Sequence, residues 1–113
     1  MKFDKALISG SNAMLILSLL KDGDKYGYEM VQELKRRSKN AFEMKEGTLY
    51  PLLHALEWAG EVQSYDKTAP SGRERRYYRL TEKGAGRLEE KVSQWQAFSD
   101  SVNTVLSFSP SAG

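Results

Sequence analysis

The sequence predicts a mainly α protein with one small β-hairpin, and three observations predict it. Leu49, Leu52, Leu53 and Leu56 repeat at i, i+3, i+4 and i+7, the spacing of one helical face. Two short runs containing Val, Tyr and Arg flank a segment with Pro70 and Gly72, the punctuation of a strand, a turn and a second strand. From Leu88 to Val105 apolar residues recur every three or four positions with no proline between them.

The first helix is expected over about Lys5–Lys21. Its residues Leu7, Ile8, Met14, Leu15, Ile16, Leu17, Leu19 and Leu20 are too dense for a one-sided surface helix, so it should be largely buried, and Asp22-Gly23-Asp24 supplies a stop. Asp24 is placed to N-cap a second helix over about Lys25–Ser38, in which Gly27, Met30, Val31 and Leu34 share a face. Lys35, Arg36, Arg37 and Lys39 suit the negative C-terminal end of that helix. Phe42 and Met44 alternate with Glu43 and Lys45, which predicts a very short strand over Ala41–Lys45. Glu46-Gly47-Thr48 opens the third helix and Gly60 ends it; Pro51 is tolerable near its start because first-turn N–H groups have no intrahelical partner. The leucine stripe of this helix turns Tyr50, Pro51, His54 and Trp58 outward.

Glu61–Tyr65 and Glu74–Leu80 are expected as the hairpin strands, joined by a mobile loop from Asp66 to Arg73. Period two places Arg73, Arg75, Tyr77 and Arg79 on one face and Tyr78 and Leu80 on the other. Thr81 fits the N-cap of a long last helix to about Leu106. Leu88, Val92, Trp95, Phe98, Val102 and Val105 are spaced as in a two-helix seam, so this helix needs a partner and reads as a dimer interface. The division expected is a helix-and-hairpin unit over 1–80, a dimerisation helix over 81–108 and a disordered tail over 109–113.

Composition narrows the function classes. A chain of 113 residues has room for one domain, and 40% hydrophobic with 28% charged residues is the balance of an ordinary globular protein. With no cysteine there is no disulfide, thiolate metal site or cysteine nucleophile, which suits a reducing cytoplasm. Met1–Lys5 does not lead into a secretory signal pattern, and the run Ala13–Leu20 is too short to span a bilayer, so a cytoplasmic location is expected and no membrane partner. His54 is the sole histidine, and no nucleophile or carboxylate cluster is marked out around it; neither an enzyme nor a metal or cofactor site is expected. The net charge of +2 identifies nothing by itself. Between Lys67 and Arg79, however, Lys67, Arg73, Arg75, Arg76 and Arg79 meet only Glu74, so positive charge is concentrated on the hairpin.

Helix, helix, short strand, helix and hairpin is the order of a winged helix-turn-helix, whose third helix enters the major groove of DNA while the wing reaches the flanking backbone. The motifs Gly27-Tyr28-Glu29, Glu46-Gly47-Thr48-Leu49-Tyr50-Pro51-Leu52-Leu53 with Leu56-Glu57 and Gly60, and Arg76-Tyr77-Tyr78-Arg79-Leu80-Thr81-Glu82-Lys83-Gly84 resemble the PadR family of bacterial transcriptional regulators. The single C-terminal helix resembles that family's short subfamily. The resemblance implies a homodimeric repressor that reads an inverted-repeat operator and is released by a small molecule. It places Thr48, Tyr50 and His54 on the groove-entering helix, Lys67, Arg73, Arg75 and Arg76 on the wing, and Tyr26 close to the DNA backbone. It also implies a site at Trp95, where two symmetry-related indoles could part to admit a planar aromatic or cationic effector lined by Met14, Val92, Phe98 and Ser99; the alternative reading of Trp95 is plain interface core. The rival from another class is a winged-helix protein-interaction module using the hairpin and Trp58, which departs from the family pattern at a usually polar position.

Overall fold

The computed structural model describes residues 3–110, in the order α1 (Lys5–Ser9), α2 (Asn12–Lys21), β1 (Lys25–Tyr26), α3 (Gly27–Arg37), α4 (Glu46–Trp58), β2 (Val62–Thr68), β3 (Glu74–Leu80) and α5 (Glu82–Leu106). Three helices, α2, α3 and α4, pack on one face of a three-stranded antiparallel sheet of order β1-β3-β2, and α5 leaves the end of β3. The core is Ile16, Leu17 and Leu20 of α2, Met30 and Leu34 of α3, Leu49, Leu53 and Leu56 of α4, with Val62, Tyr78 and Leu88 from the sheet and α5. This is a winged helix-turn-helix with a long C-terminal helix.

Five expectations change. The continuous first helix is broken at Gly10-Ser11: α1 buries nothing, and Leu7 is 65% exposed. Gly10 lacks helix propensity, and Ser11 is a residue that favours caps over interiors. The second helix starts later than Asp24 would allow, because Lys25 and Tyr26 pair with Tyr78 and Tyr77 as an edge strand. Tyr26 is therefore the N-cap residue, and its N–H donates to Glu29 Oε1 at 3.1 Å.

Ala41–Lys45 is not a strand. Lys39 and Asn40 adopt left-handed φ of 53° and 67°, and Asn40 N–H donates back to the Lys35 carbonyl, so the chain turns off the end of α3. The alternation of Phe42 and Met44 inward is present, but β1 occupies the edge of β3 that a strand there would need. Next, β2 runs to Thr68, three residues past the expected end, so the hairpin loop is only Ala69–Arg73. Within α4, Pro51 lies beyond the first turn and leaves the Gly47 carbonyl without its usual donor. Of the expected tail, residues 111–113 lie outside the described residues.

The last helix is as expected: Thr81 caps it, its Oγ1 accepting from Gly84 N–H at 3.0 Å. Its 25 residues span about 38 Å at 1.5 Å each. The radius of gyration is 16.8 Å, against about 13 Å for a compact chain of this length. The difference is α5, whose distal half carries Phe98 at 64% and Val105 at 74% exposure.

The base of the hairpin is where these elements lock. Gly60, at φ 78°, closes α4 in a Schellman turn, with Gly60 N–H on the Glu57 carbonyl and Glu61 N–H on the Leu56 carbonyl. Thr81 Oγ1 donates to the Gly60 carbonyl at 2.6 Å, and Thr81 N–H donates to the Glu61 carbonyl at 3.2 Å. Gly84 is packed so closely on that turn that a methyl group in its place would overlap the Glu61 carbonyl and the Leu80 side chain. Gly84→Ala is expected to cost about 1–3 kcal/mol as an overpacked backbone contact. Gly86→Ala, whose methyl meets nothing within 4 Å, should gain about 0.5–1 kcal/mol of helix preference. Paired thermal melts check this; equal midpoints for the two variants would contradict the close packing at Gly84.

Candidate nucleic-acid interface

The three strands bring a row of tyrosines together on the sheet face away from the helices. Tyr26, Tyr77 and Tyr65 are direct register partners across β1, β3 and β2. Tyr26 meets Tyr77 edge-on at 5.4 Å between centroids, and Tyr65 stacks on Tyr77 at 5.9 Å. Three cations lie over this row. Lys67 Nζ is 5.0 Å from the Tyr77 centroid, the Arg75 guanidinium 5.4 Å from Tyr26, and the Arg79 guanidinium 5.5 Å from Tyr65.

These are the contacts of a cation with the negative face of an aromatic ring. Arg79 also donates to Gln63 Oε1 at 3.1 Å, whereas Arg75 Nε is buried and makes no hydrogen bond among the described residues. Burial pushes the Tyr77 phenol upward. The hydrogen bond from Tyr65 to Asp24 Oδ2, at 2.5 Å, does the same for Tyr65, so both hydroxyls stay protonated at neutral pH.

Arg76 parts company with Arg75. It lies on the opposite face of β3 and sits 3.8 Å from Asp66, its cross-strand partner, as an exposed and therefore weak ion pair. Arg73 is exposed in the hairpin turn, where its carbonyl accepts from Ala69 N–H. The wing cations that share the outer face are thus Lys67, Arg75 and Arg79. Arg79 and the tyrosines Tyr65 and Tyr77 complete a set that the sequence-derived list of site residues leaves out. The period-two alternation of β3 carries the signal for Arg79 and Tyr77, and the true length of β2 is needed to place Lys67 beside them.

The second basic cluster, at the end of α3, is neutralised internally. Arg36 and Arg37 both donate to Glu33, Arg37 also pairs with Asp22 at 2.6 Å, and Lys35 lies 3.5 Å from Glu43. The hydrogen bonds from Arg36 and Arg37 hold the Glu33 carboxyl down to about 2. The wing therefore carries the positive charge that has fewest acidic partners.

On α4, Thr48 and His54 are exposed, and Tyr50 is 39% exposed with its ring laid over the start of α3. A Cβ on Gly27 would stand 2.5 Å from the Tyr50 hydroxyl oxygen and 3.0 Å from Cζ. One of the routes by which the helix-turn-helix meets the sheet is a short chain of contacts: Tyr50 on Gly27, Gly27 following Tyr26, and Arg75 over Tyr26. Trp58, at the far end of α4, is 93% exposed.

Of the residues expected at the effector site, Met14, Trp95 and Phe98 line one groove of about 450 Å³ between α1, α2 and α5, together with Leu7. Val92 lines a different groove, toward Ser18 and Lys21 of α2, and the Ser99 hydroxyl folds back onto the Gln96 carbonyl. Among the described residues no group of three metal-ligating side chains occurs, and no helix is long and apolar enough to cross a membrane. Of the apolar residues expected to form the seam, Leu88 is buried within the chain and Val92 partly so, whereas Trp95, Phe98, Val102 and Val105 are exposed.

The Tyr50–Gly27 contact yields a direct test. Gly27→Ala should destabilise the protein by about 1–3 kcal/mol by driving the ring off α3. Tyr50→Phe in the same chain should return part of that loss, since the hydroxyl is the nearest atom. Urea unfolding of the four proteins in a double-mutant cycle measures the coupling; strict additivity would refute the contact.

Comparison with known proteins agrees with this geometry. The profile of the transcriptional regulator PadR-like family matches residues 16–90. The chain is 35% identical over 100 residues to an uncharacterized protein of Lysinibacillus sphaericus, covering 88% of this chain and 92% of that one. It is 39% identical over 75 residues to the transcriptional regulator Rv3488 of Mycobacterium tuberculosis, covering 66% of each. Among solved structures, a PadR-like transcriptional regulator from Bacillus cereus superposes with a TM-score of 0.82 at 28% identity, covering 93% of this chain and all (100%) of that one. A PadR family regulator from Eggerthella lenta does so at 0.80 and 34%, covering 92% and 88% respectively. With two thirds of its length matched by the family profile and its whole architecture shared with these structures, the chain belongs to the PadR-like family of transcriptional regulators.

Proposed function

We propose that this regulator is a homodimeric repressor that reads an inverted repeat in double-stranded DNA and is released by a small planar apolar ligand. In this reading Thr48, Tyr50 and His54 of α4 face the major groove. Lys67, Arg73 and Arg75 of the wing meet the flanking phosphates, with Tyr26 beneath Arg75 and with Arg76 contributing from the other face. The observation that carries it is the row of cations on the outer face of the wing, which have no carboxylate partner among the described residues and are joined to α4 through Tyr26, Gly27 and Tyr50. Phosphate contact needs charge of this kind.

The dimer is supported by Trp95, Phe98, Val102 and Val105, an apolar stripe on the projecting part of α5. Burying such side chains is worth about 1.5–3 kcal/mol each, and a lone protomer leaves them in water. Leu88 and Val92 would extend the seam toward the core. An effector held at Trp95 against Met14 and Phe98 would act by binding the DNA-incompetent state more tightly; Val92 and Ser99 join such a site only if the partner's helix completes it. The rival reading, a protein-interaction module, draws on Trp58.

One set of titrations separates these readings. Binding of the wild type to DNA from upstream of its own gene, followed by fluorescence anisotropy, should weaken steeply with salt. Arg75→Ala should flatten the slope of log K against log[salt] by about 0.9, the value of one phosphate contact. Phe98→Asp combined with Val102→Asp should give a monomer by light scattering with much weaker binding. A planar aromatic cation should lower the affinity of the wild type but leave Trp95→Ala unmoved. Salt-independent or absent DNA binding would contradict the reading and favour the interaction module.

A further inference from the structure

We infer that Tyr77 is a positioning residue of the wing, which pre-sets Lys67 directly, and Arg75 and Arg79 through Tyr26 and Tyr65, for contact with a nucleic-acid backbone. The inference rests on the DNA-reading role proposed above and assigns a part to a residue that touches no DNA in it.

Tyr77 is only 5% exposed although it points to the sheet face opposite the core, and the neighbouring Tyr78 already fills the core side of β3. What buries Tyr77 is the layer itself: Tyr26 on one side, Tyr65 on the other and the Lys67 ammonium above. Every ring in the row carries a cation, and among the described residues Lys67, Arg75 and Arg79 form no ion pair. Their charge is therefore not cancelled within the protein.

A free lysine or arginine loses rotamer freedom when it grips a phosphate; one already laid along a ring has lost much of that freedom beforehand. The arrangement also excludes a different use. Platforms that bind single strands offer open ring faces to stack on bases, and here the faces are covered. The layer presents cations held by rings, which suits a regularly spaced duplex backbone.

The aromatic ring, and not its hydroxyl, is what the inference requires, and a loss of binding by a protein that still folds separates it from a purely structural role. The test uses the full chain and a fluorescein-labelled 30-bp duplex of arbitrary sequence, with anisotropy recorded over a range of salt. Tyr77→Phe should bind within about twofold of wild type. Tyr77→Leu should bind about three- to tenfold more weakly at every salt concentration with an unchanged slope, because the phosphate contacts are still made but from disordered side chains. Arg75→Ala differs in kind, since it removes a contact and flattens the slope.

Melting curves establish that each variant folds. If Leu at position 77 unfolds the sheet, Tyr65→Leu, on the half-buried edge of the row, carries the same test for Arg79, and wild-type binding by that variant overturns the inference. So does a folded Tyr77→Leu protein that binds as wild type, or a Tyr77→Phe protein as weak as Tyr77→Leu. Tighter binding of wild type to a single-stranded 30-mer than to the duplex overturns it in favour of a stacking platform. Absence of any salt-dependent affinity in the wild type removes the DNA reading itself, a result distinct from each of these.

Discussion

The structure turns on the hydroxyl of Thr81. That one group donates to the Gly60 carbonyl and accepts from the Gly84 N–H, while the backbone N–H of the same residue donates to the Glu61 carbonyl. Three elements end or begin within these four residues: α4 stops at the Gly60 turn, β3 stops before Thr81, and α5 starts after it. Glu57, in the last turn of α4, adds a second tie by accepting from both the N–H and the hydroxyl of Ser64 on β2. Each bond is modest, about 0.5–1.5 kcal/mol net. Together they fix the direction of α4, the wing and the long helix relative to one another.

From that fixed base the rest follows by register. Val62 opposite Leu80 sets Tyr65 opposite Tyr77 and Lys67 opposite Arg75, and a slip of one residue would turn every one of these side chains to the other face. Tyr26 joins the row because two residues of the α2–α3 connection become an edge strand instead of helix. That choice also sets where α3 begins, and hence where Gly27 lies to receive the Tyr50 ring. The exposed face of α4 and the cationic face of the wing are thus consequences of one set of pairings.

This also explains which parts were legible in the sequence. The leucine stripe of α4, the Thr81 cap and the length of α5 are local patterns, and local patterns survive into the fold. The edge strand was not legible: Lys25–Tyr26 has no strand signal of its own and is made a strand by Tyr77 and Tyr78, some fifty residues away. Ala41–Lys45 has the alternation of a strand but pairs with none of the three strands. At the wing, Asp66, Lys67 and Thr68 read as loop residues by composition, yet they pair with Arg76, Arg75 and Glu74. That pairing is what puts Lys67 beside Arg75 and over Tyr77, whereas the alternation of β3 alone already set Arg75 and Arg76 on opposite faces. The break at Gly10-Ser11 was visible as composition but was outweighed by the density of apolar residues around it.

If Thr81 joins α4, the wing and α5 into one unit, loosening it must be felt in all three. Hydrogen exchange of wild type and Thr81→Val, which keeps the shape and removes the hydroxyl, measures this most directly. The account predicts that protection falls together at Glu61 N–H, Thr81 N–H and Gly84 N–H, and along the base of the hairpin from Val62 and Leu80. Loss confined to the first turn of α5, with the α4 turn and the hairpin as protected as in wild type, would contradict it.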